Sequence, residues 1–306
     1  MLAKDAPTIW NALKGIICVY KPADVSCNRV AKTVIHKICS ELNEMDCRPP
    51  IDYVSIEGDP SGELTVITKP SLADDPLVVG PRYQPKDIRC TWSSYLGVNT
   101  SGVLLLGIQN GTKLAMRIRN NKLVRAYRIK GLLGLATDNY YKDGKVVEKS
   151  TFKFIKAFNI EKLLASMQAA HQRKMFDTCG VDLQSQAAYE LAVKGPIRPS
   201  HSKIPLIYGI KCVHFEPPEF TIEVHCINEY EMYLKALMQE IGMKLHSTAH
   251  CTGIQCIRHS YFNLDHALLQ KHWTLQNIIT NLEECNDIIE EHKDLTIQEN
   301  IALQYG

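Results

Sequence analysis

No stretch of this sequence comes near the roughly 18 consecutive apolar residues that a membrane-spanning helix requires, so a helical span is excluded. Its eleven cysteines are an odd number, scattered, and never spaced Cys-x-x-Cys. That pattern speaks for reduced thiols in an intracellular compartment and against a disulfide framework. Residues 1–14 contain Asp5 and no arginine, a poor composition for a mitochondrial presequence. A surplus of charge is also missing, with a formal net charge of only +2. One segment departs from that balance. Between Ile88 and Thr137 there is no Asp or Glu, against eight Lys or Arg residues. So one-signed a segment in a near-neutral chain points to an anionic partner, and a phosphate backbone fits best.

What remains is ordinary globular material, 45% hydrophobic and 22% charged, enough over 306 residues for one large or two modest domains. The organising stretch is 95–134, YLGVNTSGVLLLGIQNGTKLAMRIRNNKLVRAYRIKGLLG. Its apolar run at 103–108 suits a buried strand, broken by Asn110-Gly111. Leu114, Met116 and Ile118 then mix with Lys113, Arg117 and Arg119, which predicts a helix with one buried and one basic face. From Arg125 the pattern alternates, with Ala126, Arg128 and Lys130 on one side and Tyr127, Ile129 and Gly131 on the other. That is a strand with a basic face.

Elsewhere, GIICVY at 15–20 reads as a strand stopped by Pro22, and 29–43 as a helix. Residues 44–90 read as a proline-rich, irregular insertion holding short strands at 63–68 and 77–79. A turn-rich hairpin is expected at 138–149, a helix at 160–169, strands at 206–215 and 220–226, a helix at 230–242 and a closing strand at 249–257. Helices at 267–271 and 275–282 lead into an acidic end, which reads as a solvated face. His246, His250, Cys251, Cys256 and His259 hint at a metal, but the His-x3-His pair straddles a turn, so no metal site is predicted.

LGVNTSGVLLLG followed by RAYRIKGLLGLATDNYYKDGKVVE resembles the central motif of the TruB-type RNA pseudouridine synthases, with Tyr127, Leu133, Gly134, Thr137, Asp138, Asp143 and Gly144 on the pattern. GIICVYKPADVSCN is similar to the family's earlier strand–Lys-Pro–Ser-x-Asn signature, and Ala188, Tyr189, Glu190, Ala192 and Gly195 fit its later helix. The likeness covers residues 15–270. Four places depart from it. Gly97 stands where the family places its catalytic Asp, and Trp92, Ser93, Ser94 and Tyr95 replace the family's Gly-His before it. MFDTCGVD lacks the family's Tyr-Ser. Counting back from Ile241-Gly242, the family's Arg partner of the carboxylate falls on Lys235, which lacks the planar bidentate fork of Arg.

The resemblance implies an α+β pseudouridine synthase catalytic-domain fold, a central mixed, mostly antiparallel sheet with flanking helices and an RNA-binding cleft. It implies a domain at 15–270, an N-terminal segment at 1–14, a helical, acidic tail at 271–306, and no additional C-terminal RNA-binding domain. Tyr127 would stack on a flipped base, with Gly97 and Lys235 at the reaction centre. Lys21, Lys113, Arg117, Arg119, Arg125, Arg128 and Lys130 are candidate RNA contacts, Lys21 having a solvated-turn reading as its alternative. No cofactor is implied. The short layout, with Ala170-His171-Gln172 and PPEF at 217–220, is most similar to the family's animal mitochondrial mRNA-modifying members. That points to mitochondrial mRNA, tRNA or rRNA in the matrix, with nucleus or cytoplasm as alternatives. Glycine cannot act as nucleophile or base at a ribose, so three functions stay open. They are an RNA-binding pseudoenzyme, an active isomerase using a displaced carboxylate such as Asp138, and a scaffold working with RNA-processing proteins.

Overall fold

The computed structural model describes residues 5–47, 51–71, 75–193, 197 and 203–296. Helix α1 (Ala6–Ala12) starts at Asp5, whose carboxylate accepts the Thr8 N–H at 3.1 Å. Strand β1 (Gly15–Lys21) is buried almost throughout, as its unbroken apolar run requires. Helix α2 (Cys27–Asn43) is capped by the Ser26 side chain and buries Val30, Val34, Ile38 and Leu42 at helical spacing. Residues 44–90 hold more order than their prolines suggest. They form the hairpin of β2 (Asp52–Glu57) and β3 (Thr65–Pro70), the single turn α3 (Pro76–Val79), and then β4 (Cys90–Trp92). The strand expected at 77–79 is therefore helical. Asp75 accepts the Leu77 N–H at 2.8 Å and Pro76 supplies a ready-made helical φ, so the turn wins locally.

Strand β5 (Thr100–Ile108), helix α4 (Gly111–Asn120) and strand β6 (Arg125–Leu133) follow as the alternation predicts. Strands β7 (Leu135–Thr137) and β8 (Val146–Lys149) make a small ribbon. Helix α5 (Ala157–Thr178) runs well past the expected 160–169 and is followed by α6 (Gln186–Val193); Gly195 lies outside the described residues. The hairpin β9 (Leu206–Glu216)–β10 (Glu219–Ile227), helix α7 (Glu231–Lys244), strand β11 (Ala249–His259) and the short β12 (Phe262–Asn263) complete the central layer.

The main sheet has eight strands in the order β1-β5-β11-β6-β10-β9, with β4 beside β5 and β12 beside β11. Its pairs are antiparallel except β5 with β11, where Ile254, Gln255 and Cys256 oppose Thr100, Ser101 and Gly102. The fold is thus α+β with a mixed, mostly antiparallel sheet. Gly102 is what lets the parallel pair close. It sits at φ +115°, and a Cβ there would lie 2.0 Å from the Cys256 carbonyl oxygen.

Helix α8 (Leu275–Glu291) buries Leu275, Ile278, Leu282 and Cys285 in the main core and keeps its acids on the outer face. The helix expected at 267–271 is reduced to a 3-10 turn at Gln270–His272. The backbone of Leu268 is taken up instead by β1, exchanging bonds with Tyr20 (2.9 Å) and Cys18 (3.0 Å). No described helix is long and apolar enough to cross a membrane.

Candidate active site

Lys21 ends β1 beneath the loop that joins β4 to β5. Its side chain is fully buried, and the ammonium donates to the carbonyls of Pro22 (3.1 Å), Val98 (3.1 Å) and Thr100 (2.6 Å). Burial lowers its pKa, with Cys27, Glu231 and Asp24 working the other way. Neither a solvated turn nor a phosphate-facing ammonium describes Lys21 in this structure; it pins the 97–100 turn from below. Asp24 adds two ties, its N–H to the Val98 carbonyl (2.8 Å) and its carboxylate accepting from Asn99 Nδ2 (2.9 Å).

Position 97 faces the first turn of α7. Built there, a Cβ would stand 2.0 Å from Oε2 of Glu231, 2.3 Å from its carboxyl carbon and 2.5 Å from its Cβ. The space of a side chain at 97 is therefore filled, and what fills it is a carboxylate. Glu231 Oε2 accepts from the N–H of Thr100 (3.0 Å) and from its hydroxyl (2.9 Å), while Oε1 pairs with Lys235 Nζ at 3.0 Å. Lys235 is 7% exposed, donates to Asn99 Oδ1 at 2.7 Å, and lies 4.6 Å over the Tyr141 ring. Gly97 and Lys235, expected together, are brought together with Glu231 between them. Nothing in the motif singles out Glu231. Its one local signal is the i, i+4 spacing to Lys235 at a helix start. Asp138 serves its own turn, its carboxylate accepting the Lys145 N–H at 3.0 Å.

On the other side of residues 93–95 lies a cavity of about 210 Å³, lined among others by Ser93, Ser94, Arg119, Arg125, Glu229 and His259. Arg125 Nε and Glu229 Oε1 are 2.5 Å apart, and the Tyr127 hydroxyl donates to the same oxygen at 2.7 Å. Burial raises the Glu229 pKa against the pull of Arg125 and Tyr127. Burial would lower that of Arg125, but Glu229, Tyr127, Cys256 and Cys226 together outweigh it and the guanidinium stays charged. Burial and the neighbouring Arg125 bring His259 down to about 3, so it is neutral near pH 7. Five buried polar atoms here have no protein partner: Ser93 Oγ, Ser94 Oγ, Arg125 Nη1, Glu229 Oε2 and His259 Nδ1. Each such atom costs roughly 1–3 kcal/mol if left dry. Donors and acceptors converging on one cavity can grip a polar, planar ligand.

The other expected residues are spread out. Tyr127 is 2% exposed under its bond to Glu229, so in this arrangement it presents no face to the cavity. Arg119 lines the cavity and hydrogen-bonds the Trp92 carbonyl. Lys113 and Arg117 are exposed on α4 and are not among those lining residues. Arg128 and Lys130 are exposed on the face of β6 opposite Tyr127, with Arg128 3.9 Å from Glu223. Among the described residues no group of three His, Cys, Asp or Glu is placed to hold a metal.

A mixed, mostly antiparallel sheet thus carries a buried polar site where β5 meets α7. Residues 88–232 match the model of the TruB family pseudouridylate synthase N-terminal domain. The chain is 38% identical to the mitochondrial pseudouridylate synthase TRUB2 of Xenopus tropicalis over 291 residues, 93% of this chain and 89% of that one. It is 37% identical to the human TRUB2 over 275 residues, 88% and 82% of the two chains. This chain belongs to the TruB family. Among solved structures, an H/ACA RNP bound to a substrate RNA containing 2'-deoxyuridine overlaps 95% of it at 12% identity and TM-score 0.45, and this chain spans 61% of that longer one.

Proposed function

We propose that this protein binds uridine-containing RNA and acts in RNA modification in the mitochondrial matrix, on mRNA or another mitochondrial RNA, and that residue 97 contributes nothing to the chemistry. The observation that carries the proposal is the cavity beside residues 93–95, with five unpartnered buried polar atoms and two arginines among its walls. A base edge offers matching donors and acceptors, and a splayed-out nucleotide is how single-stranded RNA presents them. The exposed Lys113, Arg117, Arg128 and Lys130 add cationic surface for the backbone. Mitochondrial placement is supported by relatives such as the Xenopus and human proteins, which are named as mitochondrial.

The test is binding of an unmodified stem-loop RNA by the purified chain from 50 to 200 mM salt. Affinity should fall steeply with salt, and Lys113→Ala or Arg117→Ala should reduce the log–log slope by about 0.7–0.9 for each phosphate left without its cation. Binding that ignores salt, or no binding at all, overturns the proposal.

A further inference from the structure

We propose that Glu231 is the catalytic carboxylate of this protein, reaching from α7 into the place that Gly97 leaves empty. The inference rests on the RNA-binding reading above and goes beyond it, because it assigns the reaction to a residue outside the motif. The carboxyl carbon of an Asp at 97 would lie about 1.5 Å beyond its Cβ. The carboxyl carbon of Glu231 lies 2.3 Å from that same Cβ position, so the acid group of Glu231 shares the volume from which a residue-97 acid would act. It is also held as a working carboxylate would be. Two donors from Thr100 fix Oε2 and the Lys235 ammonium fixes Oε1, which leaves about one of its roughly four acceptor sites open. The side chain keeps 17% of its surface exposed, so a ribose can reach it. Gly97 follows from this arrangement, since any side chain there would displace the acid.

The chemistry balances without a cofactor. A Glu231 oxygen attacks C1' of the bound uridine, and the N1–C1' bond breaks with its electron pair leaving on the uracil ring. The freed ring turns over and its C5 attacks C1', which breaks the ester and returns Glu231 as a carboxylate. The proton from C5 ends on N1. Nothing is oxidised or reduced, and the product is an isomer of the reactant. Lys235 is the positioning residue, aiming Glu231 from one helical turn below.

The experiment uses the full chain with an unmodified transcript pool of mitochondrial mRNA, tRNA and rRNA, measuring RNA binding and pseudouridine formation side by side. The wild type should form pseudouridine. Glu231→Gln, nearly the same shape, should bind RNA within about twofold and lose at least about a thousandfold in rate. Gly97→Asp alone should lose activity, because its side chain meets Glu231 and displaces that acid. Gly97→Asp with Glu231→Gly should regain activity by moving the acid back to the loop, which a merely structural Glu231 would not allow. RNA binding without pseudouridine in the wild type, or full activity in Glu231→Gln, overturns the inference and leaves RNA binding standing. Failure to bind RNA overturns both.

Discussion

With no surface exposed, the Lys21 ammonium gives its three protons to the carbonyls of Pro22, Val98 and Thr100. Two of those carbonyls belong to the turn that presents Gly97, so this one side chain decides where position 97 stands. Replacing Lys21 by Met keeps the stem and removes the donor. The buried Thr100 carbonyl and the part-buried Pro22 carbonyl then go without that donor, while Val98 keeps the Asp24 N–H, and the chain should lose about 3 kcal/mol of stability, read as a drop in the urea midpoint. Because the 97–100 turn also loosens, the hold of Thr100 on Glu231 should weaken with it. A Lys21→Met protein with an unchanged midpoint would mean that water reaches these carbonyls. The Lys-Pro signature is visible in the sequence, but its purpose is not. A lysine's surroundings decide whether it is an anchor or a phosphate contact, and those surroundings come from residues 77 and 79 positions away.

At the scale of elements, the free edge of β1 shows what keeps this sheet from offering an open strand. Leu268 covers part of it, and α8 covers the rest with a side chain. Asn281, 2% exposed, accepts the Cys18 N–H at 2.8 Å and donates to the His266 carbonyl at 2.9 Å. Asn281→Leu would fill the same space and leave both backbone groups unpaired. A loss of about 2–3 kcal/mol is expected, with faster hydrogen exchange at the Cys18 amide. If the amide exchanges as before, α8 is packing against β1 without sealing it. The same pair of elements marks the boundary of what is legible in the sequence. Strand β6 is legible, because the alternation of Tyr127 and Ile129 with Arg128 and Lys130 is local and matches the burial found. The 271–306 end reads as an acidic tail, because its apolar stripe says nothing of which strand it will cover. Glu231 is hidden for a related reason. It meets Thr100 across 131 residues, and no spacing within a motif encodes that meeting.

Across the whole molecule the charges nearly cancel, so the response of stability to pH rests on a few buried groups rather than on overall repulsion. His259 is the largest of them, 3% exposed and lowered by burial and Arg125 to about 3. His171 is lowered as well, first by burial. A histidine depressed in the folded state binds its proton more readily once unfolded. For His259, stability is therefore full above the unfolded value of about 6.5 and declines as pH falls toward 3, by at most about 1.4 kcal/mol per unit, and His171 acts with the same sign. Glu229 opposes this in part. Its folded pKa is raised, so the folded protein gains from its protonation as pH drops through that raised value. Glu223, whose pKa is lowered by its His225 and Lys211 contacts against the cost of burial, loses its contribution only lower, beneath the ordinary carboxylate range. Between pH 6.5 and 5.5 the histidines should dominate. Urea unfolding over that interval should show stability falling with acid in the wild type and falling less in His259→Gln, the difference being about 1 kcal/mol across the interval. Equal slopes would place the His259 ring in contact with solvent. The cavity that His259 lines would then be open at its floor, and its five unpartnered atoms would be wet before any RNA arrives.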